Sequence, residues 1–301
     1  MNKLSPVLLF VYNRPAHTRE TVNALKMCEE AKVTDLVIYS DAAKTDEDQV
    51  LVGQVREYLL SIEGFKSIRV ELREVNVGLA DNVIGGISKE IQRSGRVIVL
   101  EDDIVVSPSF LCFMNVALDR YRDNYHVWHI SGWNYPVASS GLQGAFFMRL
   151  MNCWGWATWS DRWSHFERNP EKLLATIGSE DIKRFNLDGA HDFWFQVVAN
   201  KEGVMRTWAV FWYATIFNHE GLCLTTTQPL VKNIGFDGSG VHCGSDDLYK
   251  VHGRSYEVSG WPDVFEENKI AVRRIKWLLR RIYQKRRIMS VLKTVWRRLK
   301  K

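Results

Sequence analysis

The chain has 301 residues, of which 46% are hydrophobic and 25% are charged, a composition typical of globular proteins. Its net charge of +5 conceals an asymmetry, because residues 269–301 contain 14 Lys or Arg and no Asp or Glu. The first 268 residues therefore hold 26 basic and 35 acidic side chains, a net charge of −9. An acidic body argues against a nucleic-acid-binding core, so we expect no nucleic-acid partner.

The five cysteines and the N-terminal region bear on the compartment. No two cysteines form a C-x-x-C pair and their number is odd, as expected for reduced thiols in a cytosolic protein. The apolar run Val7–Val11 is too short for the core of a signal peptide or for a membrane span. We therefore expect a cytoplasmic protein in which this run is a buried first strand.

The first 130 residues alternate between strand and helix patterns, which predicts an α/β fold with a mostly parallel central sheet flanked by helices. Ligands of such sheets bind beyond the carboxyl ends of the strands. The predicted strands are Val7–Tyr12, Asp35–Ser40, Ile68–Glu74 and Arg96–Leu100. The predicted helices are His17–Ala31, a helix capped by Thr45 that runs to about Ser61, and Asp81–Arg93.

Three consecutive carboxylates, Glu101, Asp102 and Asp103, directly follow the strand Arg96–Leu100, which we expect to be central. Adjacent carboxylates repel each other at the end of a buried strand unless a cation neutralises them. Hard oxygen ligands beside a diphosphate suit Mg²⁺ or Mn²⁺. The alternative is a solvated acidic turn with no ligand.

Two phosphate-binding motifs of parallel sheets are missing. A dinucleotide-binding fold has G-x-G-x-x-G after its first strand, where this chain has Tyr12-Asn13-Arg14-Pro15. The chain also lacks G-x-x-x-x-G-K-[ST]. A metal ion and side chains must therefore neutralise any diphosphate charge, and Arg14 is suited to pair with phosphate or, as the alternative, to form a surface salt bridge.

Several motifs follow one another in the order found in one family. They are Val7–Pro15 with Arg14, Ser40-Asp41, Asn76-Val77-Gly78-Leu79-Ala80, and Glu101-Asp102-Asp103 followed by Pro108-Ser109-Phe110. From about Pro6 to Gly244 the chain resembles the GT-A glycosyltransferases, particularly the N-acetylglucosaminyltransferase that initiates complex N-glycans and its bacterial relatives. The resemblance implies the GT-A, or nucleotide-diphospho-sugar transferase, fold.

The resemblance also implies roles in donor binding. Arg14 and Asp102 are expected to contact the nucleotide, Asp41 to read its base, and Asp103 to bind Mn²⁺ or Mg²⁺. Asn76 and Gly78 belong to the loop on the nucleotide side, and Glu101 completes the carboxylate motif.

Motifs of the second half resemble the acceptor side of the same family. Ser131-Gly132-Trp133-Asn134 and Gly155-Trp156 resemble acceptor-binding segments, and with Trp154 they give four candidate residues: Trp133, Asn134, Trp154 and Trp156. Tryptophan rings can stack on sugars, although most tryptophans are core residues. His191-Asp192-Phe193-Trp194 resembles the W-D-D-W segment, so Asp192 is the expected catalytic base, with helix capping as the alternative role.

A loop containing Val241 and His242 resembles the G-V-S-x-G segment that closes over the donor. Histidine replaces the serine here. His242 is therefore a candidate for donor contact and for an additional metal ligand, with an ordinary loop histidine as the alternative.

The C-terminal region predicts a basic amphipathic helix that binds an anionic membrane surface. Its apolar residues recur at near-heptad spacing: Ile275, Leu278, Ile282, Met289, Leu292, Trp296 and Leu299. Docking to a partner protein is the alternative. The predicted organisation is a GT-A domain at 1–252 (nucleotide-sugar half 1–124, acceptor half 125–252), a linker at 253–268 and the membrane helix at 269–301.

Together these features predict a metal-dependent, inverting glycosyltransferase at the inner face of the cytoplasmic membrane. The expected partners are a nucleotide-diphosphate sugar, with UDP as the expected nucleotide, and a saccharide or lipid-linked acceptor. Two alternatives stay open: a sugar nucleotidyltransferase, and a non-catalytic carbohydrate-binding protein at the membrane.

Overall fold

The computed structural model of the protein describes residues 4–238 and 256–282. The larger sheet has eight strands in the order β3-β2-β1-β4-β8-β6-β9-β7, and β10 and β5 form a separate two-stranded ribbon. The strands are β1 (Val7–Val11), β2 (Asp35–Ser40), β3 (Ser67–Leu72), β4 (Arg96–Glu101), β5 (Ile104–Val106), β6 (Val127–Ser131), β7 (Ala145–Met148), β8 (Trp156–Trp159), β9 (Leu222–Thr226) and β10 (Val231–Asn233).

Helices cover the sheet, and the predicted α/β class with a mostly parallel central sheet is confirmed. They are α1 (Pro15–Lys26), α2 (Asp46–Leu59), α3 (Leu79–Ser94), α4 (Phe110–Arg120), α5 (Ser160–Trp163), α6 (Pro170–Thr176), α7 (Ser179–Phe185), α8 (Phe195–Lys201) and α9 (Ala209–Asn218). Residues 269–282 are also helical and are called the C-terminal helix below. None of the helices in the described ranges is long and apolar enough to cross a membrane.

The first four strands along the chain pair in parallel, with β1 between β2 and β4 and with β3 at the edge. Every residue of β1 is buried, as expected for a strand covered on both faces. The predicted strand Asp35–Ser40 is confirmed at both ends. The predicted helix His17–Ala31 is wrong in its length, because Cys28 adopts an extended backbone and a short 3₁₀ helix at Glu29–Val33 follows.

The remaining strands extend the sheet in mixed orientation. β8 runs antiparallel to both β4 and β6, while β6 and β9 are parallel and β7 is antiparallel to β9. The carboxyl ends of β4, β6 and β9 therefore lie at the same edge of the sheet as the amino ends of β8 and β7. This shared edge positions the site described below.

The predicted cap of α2 is present, whereas α3 begins at Leu79, two residues before the predicted Asp81. Thr45 accepts a hydrogen bond from the amide of Asp48, whose carboxylate accepts one in return from the Thr45 amide, which confirms the predicted cap. α3 begins after Gly78, whose φ of +79° lies in the left-handed region that glycine adopts without strain.

Tryptophans form much of the core in the second half of the domain. Trp156 of β8 stacks on Trp208, with ring centroids 5.3 Å apart, and on His129 at 5.1 Å. His129 Nε2 lies 2.9 Å from the carbonyl oxygen of Asn152, and Trp212 Nε1 donates to His129 Nδ1 at 3.2 Å. Complete burial lowers the pKa of His129 to about 3, so this histidine is a neutral core residue.

The predicted linker 253–268 falls partly outside the described residues, and its described part packs against the domain. Trp261 stacks on Phe113 at 5.5 Å, and the Tyr121 hydroxyl donates to the carbonyl of Pro262 at 3.0 Å. The predicted domain end at residue 252 therefore does not coincide with the end of the packed core.

The C-terminal helix is also part of the core. Ala271, Ile275 and Leu279 are buried at i, i+4 and i+8, so one face of the helix packs on the domain. Ile275, the first residue of the predicted membrane-facing stripe, faces this core instead. The rest of the predicted amphipathic helix lies beyond residue 282, outside the described residues.

Candidate active site

Polar side chains lie at the shared edge of the sheet, where the neighbouring strands β2, β1 and β4 end. Arg14 follows β1, Asp41 follows β2, and the carboxylates begin at Glu101, the last residue of β4. The register places Val11 beside Ser40 and Phe10 beside Glu101, so these three strands end at the same level. Parallel strands bring their carboxyl ends together, so Arg14, Asp41 and Glu101 lie at one edge of the sheet.

Arg14 pairs with two of the three carboxylates. Its Nη2 donates to Asp102 Oδ1, and its Nη1 lies 3.0 Å from Asp103 Oδ2. Asp102 and Asp103 are both buried. The Thr21 hydroxyl donates to the backbone carbonyl of Asp102 at 2.7 Å, which fixes the turn after β4. The acidic turn is therefore enclosed and paired, which excludes the alternative of a freely solvated loop.

Burial sets the protonation of this cluster. Burial first, and then repulsion from Asp103 and Asp102, raises the pKa of Glu101 to about 8. Burial also raises the pKa of Asp102 to about 6, although the neighbouring Arg14 works in the opposite direction. Burial opposes the positive charge on Arg14, but attraction by the two aspartates outweighs it and raises the guanidinium pKa. The raised pKa values of Glu101 and Asp102 mean that ionisation of these two carboxyl groups is unfavourable beside a single arginine.

A short segment, Val231–Asp237, lies across the carboxylates, and we call it the strap. Its first part, β10, pairs with β5 so that Asn233 lies opposite Ile104. The Ile234 amide donates to the carbonyl of Asp103 at 2.9 Å, and the Gly235 amide donates to Asn233 Oδ1 at 2.7 Å. A Cβ atom on Gly235 would lie 2.2 Å from Asp103 Oδ2, so only glycine allows this close approach.

Asp41 organises the predicted nucleotide-side loop. Its Oδ1 accepts from the amides of Ala42 and Val77 at 2.9 and 3.1 Å, and its Oδ2 accepts from the Gly78 amide at 2.8 Å. Asn76 Nδ2 donates to the carbonyl of Ala42 at 2.7 Å. The structure thus brings Asp41, Asn76 and Gly78 together, with the Asp41 carboxylate bound to the loop backbone.

The residues present fit a divalent cation. Asp103, with Asp102 and Glu101 beside it, offers hard oxygen ligands, and Gly235 is the residue of the strap that packs against the Asp103 carboxylate. Within residues 4–238 and 256–282, however, no three His, Cys, Asp or Glu side chains come together as a complete ligand set. A metal ion here would need further oxygen ligands, which a diphosphate and water can supply.

The predicted acceptor residues differ in accessibility. Trp154 is partly exposed and lies edge-on to Trp133 at 4.7 Å and to Phe236 of the strap at 5.7 Å. Trp133 and Trp156 are buried, and Trp156 uses its ring faces within the core. For Trp156 this contradicts the expectation of sugar stacking, because the ring has no accessible face.

Asn134 differs from its tryptophan neighbours. It is buried, and its Nδ2 donates to the carbonyl of Thr227 at 3.2 Å. Its Oδ1 atom has no hydrogen-bond partner among the described residues. A buried amide oxygen without a partner costs free energy, so it is a candidate hydrogen-bond acceptor for a substrate hydroxyl or for water.

Asp192 lies on the turn between α7 and α8. It is exposed, and its Oδ1 accepts from Asn186 Nδ2 and from the Phe195 amide, both at 3.1 Å. These hydrogen bonds fit the capping alternative, and the carboxylate faces solvent.

The neighbourhood of Asp192 is separated from the carboxylate cluster. Asp188, four residues earlier, is held by Arg149 just after β7 at 3.1 Å. β7 is four strand positions from β4, about 19 Å across the sheet at the usual strand spacing. The hydrogen bonds of Asp192 among the described residues go to Asn186 and Phe195 and not to the cluster around Asp103. Val241 and His242 lie outside the described residues, so their predicted roles stay predictions.

Sequence reasoning missed three residues of the site: His17, Thr21 and Gly235. His17 Nε2 lies 3.2 Å from Asp237 Oδ2 at the end of the strap. Arg14, His17 and Thr21 are spaced at i, i+3 and i+7, which places them on one face of a helix. This spacing was visible in the sequence, whereas the proximity of Gly235 to Asp103 depends on the pairing of β10 with β5.

Comparisons with known proteins give only distant similarity. No protein-family model matches the chain, and no curated protein matches it. The chain is similar to S. aureus TarS at 17% identity and a TM-score of 0.30, over 42% of this chain but only 21% of TarS. It is also similar to the mannosyltransferase PcManGT of Pyrobaculum calidifontis, whose structure contains GDP-Man and Mn²⁺. That match has 11% identity and a TM-score of 0.39, over 72% of this chain and 70% of PcManGT. Neither similarity is close enough to assign an activity, so the function is argued from the geometry of the site.

Proposed function

We propose that the protein is a metal-dependent glycosyltransferase that moves a sugar from a nucleoside-diphosphate donor to a saccharide or lipid-linked acceptor. The observation that carries the proposal is the enclosed Asp102–Asp103 pair at the end of β4, with Arg14 against it and the Asp41-bound loop at the same edge. Carboxylates for a metal and an arginine for phosphate are the groups that a nucleoside diphosphate requires.

The residues of the proposed donor site have different chemical roles. Asp103 would hold Mn²⁺ or Mg²⁺, with the carboxyl groups of Asp102 and Glu101 beside it. A bound metal ion would neutralise the negative charge on the departing diphosphate, so that the leaving group needs no proton from an acid. Arg14 is close enough to the same carboxylates to contact a phosphate bound there. Asp41, Asn76 and Gly78 support the loop that we assign to the nucleoside, with UDP as the first candidate.

The acceptor half provides the second substrate site. Trp154 is partly exposed beside the strap, and the buried Asn134 Oδ1 has no hydrogen-bond partner among the described residues. For transfer with inversion, a base must take the proton from the attacking hydroxyl, and Asp192 is the candidate from the resemblance to the W-D-D-W segment. The exposed Asp192 carboxylate is accessible to an acceptor hydroxyl.

We also propose that the basic C-terminal residues attract the protein to an anionic membrane surface on the cytoplasmic side. Residues 283–301 contain eight Lys or Arg and no acidic residue. Each basic residue near an anionic surface contributes about 1 kcal/mol. Because Ile275 and Leu279 are buried in the domain, the attraction is assigned to the sequence after residue 282. A lipid-linked acceptor would suit a protein held at such a surface.

A panel of nucleotide sugars tests the proposed function. Binding and slow hydrolysis of one donor are expected to require Mn²⁺ or Mg²⁺, and EDTA is expected to abolish both. The control is the same panel without metal, at matched ionic strength. A protein that binds no nucleotide sugar, or binds one equally well in EDTA, would contradict a metal-dependent transferase.

A further inference from the structure

One face of α1 contacts both parts of the donor site. Arg14, at the start of the helix, contacts Asp102 and Asp103, and Thr21 holds the Asp102 carbonyl. His17 lies between them in sequence and reaches the strap instead, with Nε2 3.2 Å from Asp237 Oδ2. The same helical face therefore fixes the carboxylate turn beneath the strap and the end of the strap itself.

The strap is held at several points along its described residues. Its β10 part is paired with β5, and the Ile234 and Gly235 amides make the next two hydrogen bonds. Phe236 then contacts Trp154 edge-on, and Asp237 reaches His17. Because Gly235 approaches Asp103 so closely, a small displacement of the strap changes the space beside the carboxylate.

We propose that His17 and Asp237 form a latch that holds the strap over Asp103, and that both are positioning residues of the nucleoside-diphosphate site. The inference rests on the proposed function for its ligand, but not for the latch itself. His17 is mostly buried, with 14% of its side chain exposed, while the Asp237 side chain is about half exposed at 49%. The pair is accordingly a modest contact, of the strength measured for partly exposed ion pairs.

Hydrogen exchange tests the latch without any ligand. His17→Ala and Asp237→Ala are each expected to speed amide exchange in residues 231–237 by about two- to fivefold. Exchange in β1 and β4 should stay unchanged. His17→Gln keeps an N–H donor near the same position and is expected to restore slow exchange. Lys172→Ala, which removes an exposed ion pair with Glu167, is the matched control.

Binding of UDP and GDP in the presence of Mn²⁺ tests the positioning role. Each alanine variant is expected to weaken binding by about two- to fivefold, and the double variant is expected to be no weaker than either single one. Unchanged exchange in both alanine variants, or fully additive losses in the double variant, would overturn the latch. A wild-type protein that binds neither nucleotide with Mn²⁺ would overturn the proposed function instead, and the exchange measurement would still decide the latch.

Discussion

Gly235 lies against Asp103 so closely that a Cβ atom on residue 235 would lie 2.2 Å from the Asp103 Oδ2 atom. The contact joins the strap to the carboxylate that we assign to the metal. The same added Cβ atom would lie 3.0 Å from Arg14 Nη1. A single methyl group at residue 235 must therefore displace the strap or the carboxylate.

Gly235→Ala is expected to weaken Mn²⁺-dependent nucleotide binding at least tenfold while the protein stays folded. Real Cβ atoms do not approach neighbours to 2.2 Å, and a displaced carboxylate no longer presents its oxygens in the same place. Isothermal calorimetry with UDP or GDP and Mn²⁺ measures the effect. Gly53→Ala is the matched control, because a Cβ there meets no atom within 4 Å and alanine favours the α2 helix. Equal binding by the two variants would contradict the assigned role of the strap.

Metal binding is expected to stabilise the protein more at pH 8 than at pH 5.5. The pKa values of Glu101 and Asp102 are raised to about 8 and about 6, so the folded protein binds more protons here than the unfolded chain. Without metal, this contribution lowers stability as pH rises from about 4 to 8. A bound cation offsets the unfavourable ionisation of Glu101 and Asp102. The stabilisation of the folded protein by metal therefore increases over the same pH range. Thermal unfolding with and without Mn²⁺ measures the gain.

Glu101→Gln serves as the comparison for this pH dependence. Without metal, the variant is expected to match wild type near pH 5 and to be more stable above pH 8. The pKa of His129 is lowered to about 3, so protonation of this histidine in the unfolded chain lowers stability as pH falls below about 6.5. Both proteins contain His129, so this effect cancels in the comparison. A metal-induced gain that is independent of pH would contradict the assignment of the cation to this cluster.

Asp192→Asn is expected to retain donor binding and to lose transfer by 10²–10⁴-fold, the usual contribution of a general base. The amide has nearly the same shape as the carboxylate and keeps an oxygen for the Asn186 and Phe195 contacts. Single-turnover transfer rates with saturating donor measure the loss. Activity within about tenfold of wild type would identify Asp192 as a helix cap, and the base would then be a residue nearer to β4.

Truncation separates the packed part of the C-terminal region from its basic end. Ending the chain after Ile282 is expected to preserve folding and donor binding but to abolish sedimentation with anionic vesicles. Ending it after Trp261 is expected to destabilise the domain by several kcal/mol, because it removes the buried Ala271, Ile275 and Leu279. Both proteins are compared by vesicle sedimentation at low and high salt and by thermal unfolding. Equal sedimentation of the shorter and full-length chains would contradict the membrane role.

The donor side of the site could be predicted from sequence because it depends on local pattern and chain order. Runs such as Val7–Val11 and Asp35–Ser40 identify buried strands, and parallel strands bring the residues that follow them to one edge. This reasoning places Arg14 and Asp103 at that edge, whereas the role of Asp41 was inferred from the family resemblance. Arg14 is even on the same helical face as Thr21, which the i, i+7 spacing would have shown.

The acceptor side could not be predicted in the same way, because it depends on contacts between distant segments. The sequence around Trp156 does not show that Trp208 and His129 cover the faces of its ring. The place of Asp192 follows from Asp188, which is held by Arg149 and by Lys276 of the C-terminal helix. Such ion pairs join positions 39 to 88 residues apart in the chain, and no local periodicity encodes them.

Metal-dependent donor binding by Asp103→Ala tests the central claim most directly. The variant is compared with wild type and with Asp181→Ala, which removes an exposed aspartate paired with Arg184. Calorimetry with the best nucleotide sugar is run in Mn²⁺ and in EDTA. We expect wild type and Asp181→Ala to bind only in Mn²⁺, and Asp103→Ala to stay folded without any response to the metal. Mn²⁺-dependent binding that survives in Asp103→Ala at wild-type affinity would contradict the assignment of this site.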